Sequence, residues 1–312
     1  MLDTLDEQLQ HAINLSAEYG REDAAKKLGV KEDTIRRYEN EARERGMKPE
    51  GPVKKPNVLV FDIETSLMEF YAWSPGKQYV GPSQIIKDWY VLSWASKWLF
   101  EPDVFSDVLT PEEGLTRNDE RIVRSIWKFL DHADIIIGHN IKKFDVRKLN
   151  ARFIFYDLKP PSPYLAIDTL TSVRSVALFS SNKQDELCKK CGLSRKVEHE
   201  GYDLWVKCAN GDPDALLRME EYNIGDIMGV EELYVRLRPW IKSHPNMNLF
   251  VEGNGDGCPN CGSGHIKWMD KFYVTSVNKY STFRCRDCGA IGRSRHSSLS
   301  KENKPDIVSI SR

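Results

Sequence analysis

The sequence predicts an α/β protein: a mixed β-sheet covered by helices, preceded by a small all-α module and followed by a small metal-held one. Three observations predict this. Short apolar runs such as VLVFDIE at 58–64 and DIII at 134–137 have the length and β-branched composition of buried strands. Segments with helical spacing follow, so strands come first and then β-α-β-α, a layout that covers a mixed sheet with helices. Composition also shifts at the ends. Residues 1–46 are polar and helical in pattern, while 257–292 hold two CxxC pairs.

Length and composition bound the rest. A chain of 312 residues suits two or three domains, and 40% apolar with 10% aromatic residues excludes global disorder. Residues 257–312 carry ten Lys/Arg against four Asp/Glu, a balance of +6, which leaves −7 for residues 1–256 from the total of −1. An acidic body with a basic end suits a protein that holds cations centrally and meets polyanions at its end. No apolar run approaches the roughly 20 residues that span a bilayer. The start, MLDTLDEQLQ, lacks the basic-then-apolar order of a signal peptide. No membrane partner and a cytoplasmic location are therefore expected. Seven cysteines, four of them in two terminal CxxC pairs, point in a reducing compartment to zinc rather than disulfides.

Along the chain, Leu5, Leu9 and Ile13 form one apolar stripe. A short helix then ends at Gly29, and a basic second helix begins near Glu32 with Ile35 and Tyr38 facing inward. This reads as a helix-turn-helix over 1–46. Three prolines and a glycine mark a linker at 47–56. The central domain, 57–245, has strands at 58–64, 89–99 and 103–109, the last two forming a meander. A helix at 118–132, a strand at 133–140, a helix at 143–155 and a strand at 164–170 follow, and the remainder is helical. An aromatic-rich insertion, 66–84, carries Phe70, Tyr71 and Trp73, which either stack on unpaired bases or cover the core. Residues 257–292 form the third unit, and the basic tail 293–312 is expected to be disordered.

Three short elements carry the chemistry. Asp62 and Glu64 sit two apart on an apolar strand, so both face one side with Cα atoms about 6–7 Å apart. Two ionised carboxylates there repel each other unless a cation lies between them. In GHNIKKFDVRKLN (138–150), Asp145 falls in the first turn of a helix, either as a dipole-favoured capping acid or as a third metal ligand. In EEYNIGDIMGVEELY (220–234), Tyr222 and Asp226 share a helix face about 6 Å apart, where a phenol beside a carboxylate can orient a water. Asp168, in AIDTL, is expected to cap the next helix rather than bind metal.

Taken together, FDIET, the run Asn140-Ile-Lys-Lys-Phe144-Asp145, and Tyr222 to Asp226 resemble the exonuclease motifs of the DEDD superfamily. The tyrosine places the resemblance in the DEDDy branch, which includes the proofreading domains of family B DNA polymerases. The branch with a histidine five residues before the last Asp has Glu221 at that place here. The segment IIKDWYVLSWASKWL also resembles stand-alone ribonuclease H-like exonucleases, many of them phage- or prophage-encoded, whose location would be the bacterial host cytoplasm. The resemblance covers about 57–240. It implies a ribonuclease H-like fold and a 3′–5′ exonuclease, with DNA favoured over RNA and a single-stranded 3′ end as substrate. By the same resemblance, Asp62, Glu64, Asp145 and Asp226 bind two Mg²⁺ or Mn²⁺, and Tyr222 positions the attacking water. Asn140 and Phe144 meet the terminal nucleotides, and Thr65 offers a contact near the 3′ end. Two rivals stand beside it: a catalytically inactive nucleic-acid-binding or recruitment protein on the same fold, and a helix-turn-helix DNA-binding regulator.

Cys258, Cys261, Cys285 and Cys288 form two CxxC knuckles, each followed by a glycine, with FYVTSV and YSTFRC between them reading as strands. Four thiolates so spaced predict one structural Zn²⁺ in a zinc ribbon, and Tyr273, Tyr280 and Phe283 suit base stacking. Cys188 and Cys191 also match CxxC but lie in a helical segment without a second knuckle, so they and Cys208 read as small core residues. In the N-terminal module Lys31, Arg36 and Arg37 can meet phosphates, but flanking acids make docking to a protein partner, through this module or the ribbon, the standing alternative.

Overall fold

A computed structural model describes residues 5–47, 56–77, 79–194, 201–250 and 257–300. The chain divides into two compact units, residues 57–245 and the two ends, 1–56 with 246–312. Among the described residues, no helix is long and apolar enough to cross a membrane.

The first segment folds as α1 (Leu5–Tyr19), α2 (Arg21–Leu28) and α3 (Glu32–Glu44). Leu9 and Ile13 of the expected stripe pack on Ala42, and Ala12 packs with Ala25 and Ile35. Leu5, the first helical residue, is instead 45% exposed. Gly29 takes a left-handed φ of 65° and returns its N–H to the carbonyls of Ala25 and Lys26, which ends α2 and allows the turn into α3. The expected linker falls largely outside the described residues.

The central unit runs β1 (Val58–Thr65), β2 (Glu69–Phe70), β3 (Ile85–Lys87), β4 (Val91–Trp98), β5 (Val104–Val108), α4 (Pro111–Thr116), α5 (Glu120–His132), β6 (Ile135–Gly138), α6 (Asp145–Phe155), β7 (Leu165–Asp168), α7 (Thr169–Val176), α8 (Gln184–Cys191), α9 (Tyr202–Ala209) and α10 (Pro213–Leu237). Its main sheet has the order β5-β4-β1-β6-β7. β4 pairs antiparallel with both β1 and β5, the expected meander, whereas β1–β6 and β6–β7 are parallel. The sheet is therefore mixed, and helices flank it. β1 lies in its middle, with Leu59, Phe61 and Ile63 in a core that also holds Ile122, Val123 and Ile126 of α5. A period of two sends Asp62 and Glu64 to the other face.

α10 is packed against β4 and β1. It starts on an Asp-Pro signal: Asp212 accepts from Ala215 N at 3.0 Å, and Pro213 opens the helix. An ion pair between Lys97 of β4 and Glu231 of α10 fixes their relative position. Both are buried, and Glu231 Oε1 also accepts from Phe100 N at 2.8 Å. Glu231→Ala leaves a buried ammonium and a backbone donor unmatched, a loss of about 3–5 kcal/mol. Its melting temperature is expected to fall by roughly 6–20 °C in calorimetry. A shift within 2 °C would show that the pair contributes little.

The insertion after β1 forms a small β2–β3 hairpin. Phe70, Tyr71 and Trp73 are 44%, 75% and 98% exposed, so they do not cover the core.

At the C-terminal end, β8 (Ile266–Val274), β9 (Lys279–Cys285) and β10 (Ile291–Arg293) make an antiparallel sheet. β8 starts earlier than the expected strand, and Thr275–Asn278 forms the turn, with Thr275 N donating to Asn278 O at 2.8 Å. Two sequence expectations are corrected here. Phe283 is 6% exposed, edge-on to Trp268, so it belongs to the interior of this small sheet and offers no stacking face. The expected disordered tail also starts too early at 293. Ser294 N and Ser298 N donate to Ser281 O and Lys279 O, both at 2.7 Å, which ties this stretch to β9. Residues 301–312 lie outside the described residues.

Candidate active site

Asp62 and Glu64 reach the site because β1 alternates, and a register shift between Glu64 and Thr65 ends the regular pairing beside them. Asp226 comes from α10. Carboxylate oxygens of Asp62, Glu64 and Asp226 all lie within 4.8 Å of one another. Oxygen ligands bind a small divalent cation at about 2.0–2.6 Å, so one ion can touch all three. Three carboxylates brought this close are mutually repulsive without a cation, which makes the donor set a fit for a hard metal ion.

Asp145 stands outside that triad. It is 3% exposed at the start of α6, and its Oδ1 accepts from Ile63 N at 3.3 Å. It lines the same cleft, a cavity of about 550 Å³ whose walls also include Asp62, Glu64, Asn140, Phe144, Tyr222 and Asp226. The sequence-predicted residues therefore converge there, except Thr65, which does not line the cleft. Tyr222 is 6% exposed, with its ring edge-on to Trp205 at 5.9 Å.

The turn between β6 and α6 is tightly determined. A Cβ on Gly138 would stand 2.7 Å from Ile141 Cδ1, so only glycine fits. Asn140 takes a left-handed φ of 68°, which asparagine tolerates better than most residues. Asp168 braces this turn. Its Oδ1 accepts from Asn140 N at 3.2 Å and Thr171 N at 3.0 Å, and its Oδ2 from Lys142 N at 3.3 Å. It is thus the expected helix cap, and it also holds Asn140 in place.

Residues from α7 and the start of α8 complete the cleft, and sequence reasoning did not single them out: Leu170, Arg174, Asn182, Lys183, Gln184 and Asp185. The most informative omission is Asn223. It is fully buried, donates from Nδ2 to Asp62 Oδ2 at 2.8 Å, and accepts from Ser93 Oγ at 3.3 Å. Its place three residues before Asp226, on the same helix face, was the available signal. Asn223→Ala is expected to weaken Mn²⁺ binding about 10–100-fold by freeing Asp62 from its orienting donor. Calorimetric titration checks this, and unchanged affinity would remove Asn223 from the site.

The four terminal cysteines form a separate cluster. Their sulphurs all lie within 4.8 Å of one another, with Cys258–Cys288 and Cys261–Cys285 both at 3.6 Å. Four thiolates about 2.3 Å from a tetrahedral ion stand about 3.8 Å apart, so the cluster fits a closed metal site. Gly262 and Gly289 have φ of 77° and 78°, the left-handed turns that close each knuckle. Cys188 and Cys208 are buried instead. Burial pushes their thiols up to about 11 and about 12, so neither is a thiolate at neutral pH.

Residues 109–238 match the family model of the RNase_H superfamily. That span carries Asp145, Tyr222 and Asp226 but begins after β1. The mixed sheet flanked by helices is that of a ribonuclease H-like fold. Among solved structures, the chain is similar to the family B DNA polymerase from the hyperthermophilic archaeon Pyrobaculum calidifontis. Identity is 18% and the TM-score 0.41, over 62% of this chain and 26% of that one, so this chain spans about a quarter of the polymerase's length. No curated protein matches the sequence.

Proposed function

We propose that the chain is a metal-dependent 3′–5′ exonuclease that removes nucleotides from nucleic-acid 3′ ends, with DNA favoured and an unpaired end as substrate. One observation carries this reading: Asp62, Glu64 and Asp226 meet within the reach of a single cation, in an open cleft that Asp145 and Tyr222 also line. The three motifs that resemble the DEDDy exonucleases are far apart in sequence and share this one cleft.

In this reading Asp62, Glu64, Asp145 and Asp226 hold two Mg²⁺ or Mn²⁺. Bound ions of this kind activate water and stabilise a leaving oxygen. Tyr222, one turn before Asp226 on α10, orients the water. Hydrolysis of the terminal bond adds that water to phosphorus and breaks the P–O3′ bond. The shortened strand keeps a 3′-hydroxyl, and a nucleoside 5′-monophosphate leaves. Asn140 and Phe144 line the cleft where the terminal nucleotides would sit.

The Cys258, Cys261, Cys285 and Cys288 cluster holds structural Zn²⁺. Tyr273 and Tyr280 on the ribbon are overlaid by the Arg293 guanidinium, at 5.3 and 4.0 Å from the ring centres, a pairing of charge and ring that suits a nucleic-acid backbone. The helix-turn-helix serves nucleic-acid or protein docking.

The test is a digestion panel of 3′- and 5′-labelled single- and double-stranded DNA and RNA with Mg²⁺ or Mn²⁺. Mononucleotides are expected from the 3′ label only, and none with chelator. Release beginning at the 5′ label would overturn the polarity, and no metal-dependent release from any substrate would leave the inactive binding protein as the better reading.

A further inference from the structure

Asp62 and Glu64 come from β1 and Asp226 from α10, so the spacing of the three carboxylates depends on where α10 lies. Without a cation the three repel one another, and that repulsion acts to drive Asp226 away from β1. A cluster that takes up an ion readily needs Asp226 held in place before the ion arrives.

The hold comes from α8. Gln184, its first residue, is 7% exposed and donates from Nε2 to the backbone carbonyl of Asp226 at 2.8 Å. A carbonyl oxygen has two lone pairs, so this one can accept the amide as well as the bond of its own helix. The donor is neutral and brings no charge to the acids. Gly229 lets α8 come this close. It is buried on α10, and a Cβ there would stand 3.2 Å from Ser194 O and 3.4 Å from both Gln184 Nε2 and Cys188 Sγ. Glycine is a poor helix former, so its place inside α10 goes with this close approach.

Beyond the end of α8 the chain is tied to α10 a second time. Ser194 donates to the Glu232 carboxylate from N at 2.6 Å and from Oγ at 2.7 Å. The two ties differ in place. That of Ser194 is exposed and lies on a residue six positions past Asp226. That of Gln184 is buried, in the wall of the cleft, on the residue that carries the third carboxylate.

We propose that Gln184 is a positioning residue: through the Asp226 carbonyl it sets where the Asp226 carboxylate stands against Asp62 and Glu64, and thereby the affinity of the cluster for a divalent cation. This rests on the reading of the cluster as a metal site and extends that site to α8, which lies outside all three acid-bearing motifs.

The test is a calorimetric titration of the full chain with Mn²⁺, following the binding event that Asp62→Asn abolishes. Gln184→Met keeps the length of the side chain and removes the donor. It is expected to weaken Mn²⁺ binding about tenfold, the lower end for a group acting behind a ligand. Without metal its melting temperature is expected to fall by only about 2–4 °C, the loss of one ordinary hydrogen bond. Ser194→Ala breaks the remote tie to the same helix and is expected to leave Mn²⁺ affinity unchanged. Unchanged affinity in Gln184→Met overturns the inference, because Gln184 is then a packing residue. An equal loss in Ser194→Ala overturns it too, because the effect then belongs to the docking of α8 as a whole. Absence of the binding event in the unsubstituted chain overturns the metal reading and the inference with it, so the two failures are distinguishable.

Discussion

Asp62→Asn is expected to reduce metal-dependent release of nucleotides from 3′ ends on the order of 10⁴-fold, about 5.4 kcal/mol of transition-state stabilisation. The substitution removes one of three carboxylates that together can hold a single ion, while its remaining oxygen can still accept the Asn223 amide. The fold should therefore survive. Without metal, the variant should melt higher than the unsubstituted chain, because one of three crowded charges is gone. About 1 kcal/mol of relief corresponds to roughly 2–4 °C in a unit of this size. Added Mn²⁺ should reverse the order, stabilising the unsubstituted chain alone. Activity is read by release of a 3′ label and stability by calorimetry with and without the ion. A variant that retains most of its activity would sink the assignment of Asp62 as a ligand.

Cys285→Ser carries the second large effect. Cys285 is 1% exposed, contributes one of four clustered sulphurs, and closes its knuckle by donating from N to Ala290 O at 2.8 Å. Metal binding to such a site is worth on the order of 10 kcal/mol. The small C-terminal sheet has little core besides its cysteines, Ala290, Ile266 and Phe283. Elemental analysis is expected to find one equivalent of zinc in the unsubstituted chain and none in the variant, and limited proteolysis of the variant should cut within 257–300. The cooperative melting of residues 57–245, which form a compact unit of their own, should be retained. Equal protease resistance of 257–300 with and without metal would show that the cluster is not what folds it.

Which of these features the sequence declared depended on how local their cause is. β1, β6 and α10 were legible because a strand's alternation and a helix's 3.6-residue repeat are written in adjacent residues. The cysteine cluster was legible for the same reason, since CxxC followed by glycine states both the sulphur set and the turn. Phe283, by contrast, looked like a surface aromatic. Only the pairing of β9 with β8 and β10 shows that it fills the interior of the small sheet. The aromatic insertion after β1 left two readings open, and exposure of Tyr71 and Trp73 removed the one in which they cover the core.

The sequence by itself determined the α/β class, the identity of the acids and the cysteine set, because residue type and short-range spacing dictate them. Tertiary structure alone decided that Asp62, Glu64 and Asp226 come within reach of one ion while Asp145 stands beside them, that Asn223 holds Asp62, and that the Lys148 ammonium sits over the Trp89 ring. Each of these depends on how β1, α6 and α10 pack across the sheet. Distances between residues more than eighty positions apart are set by that packing and by no local pattern.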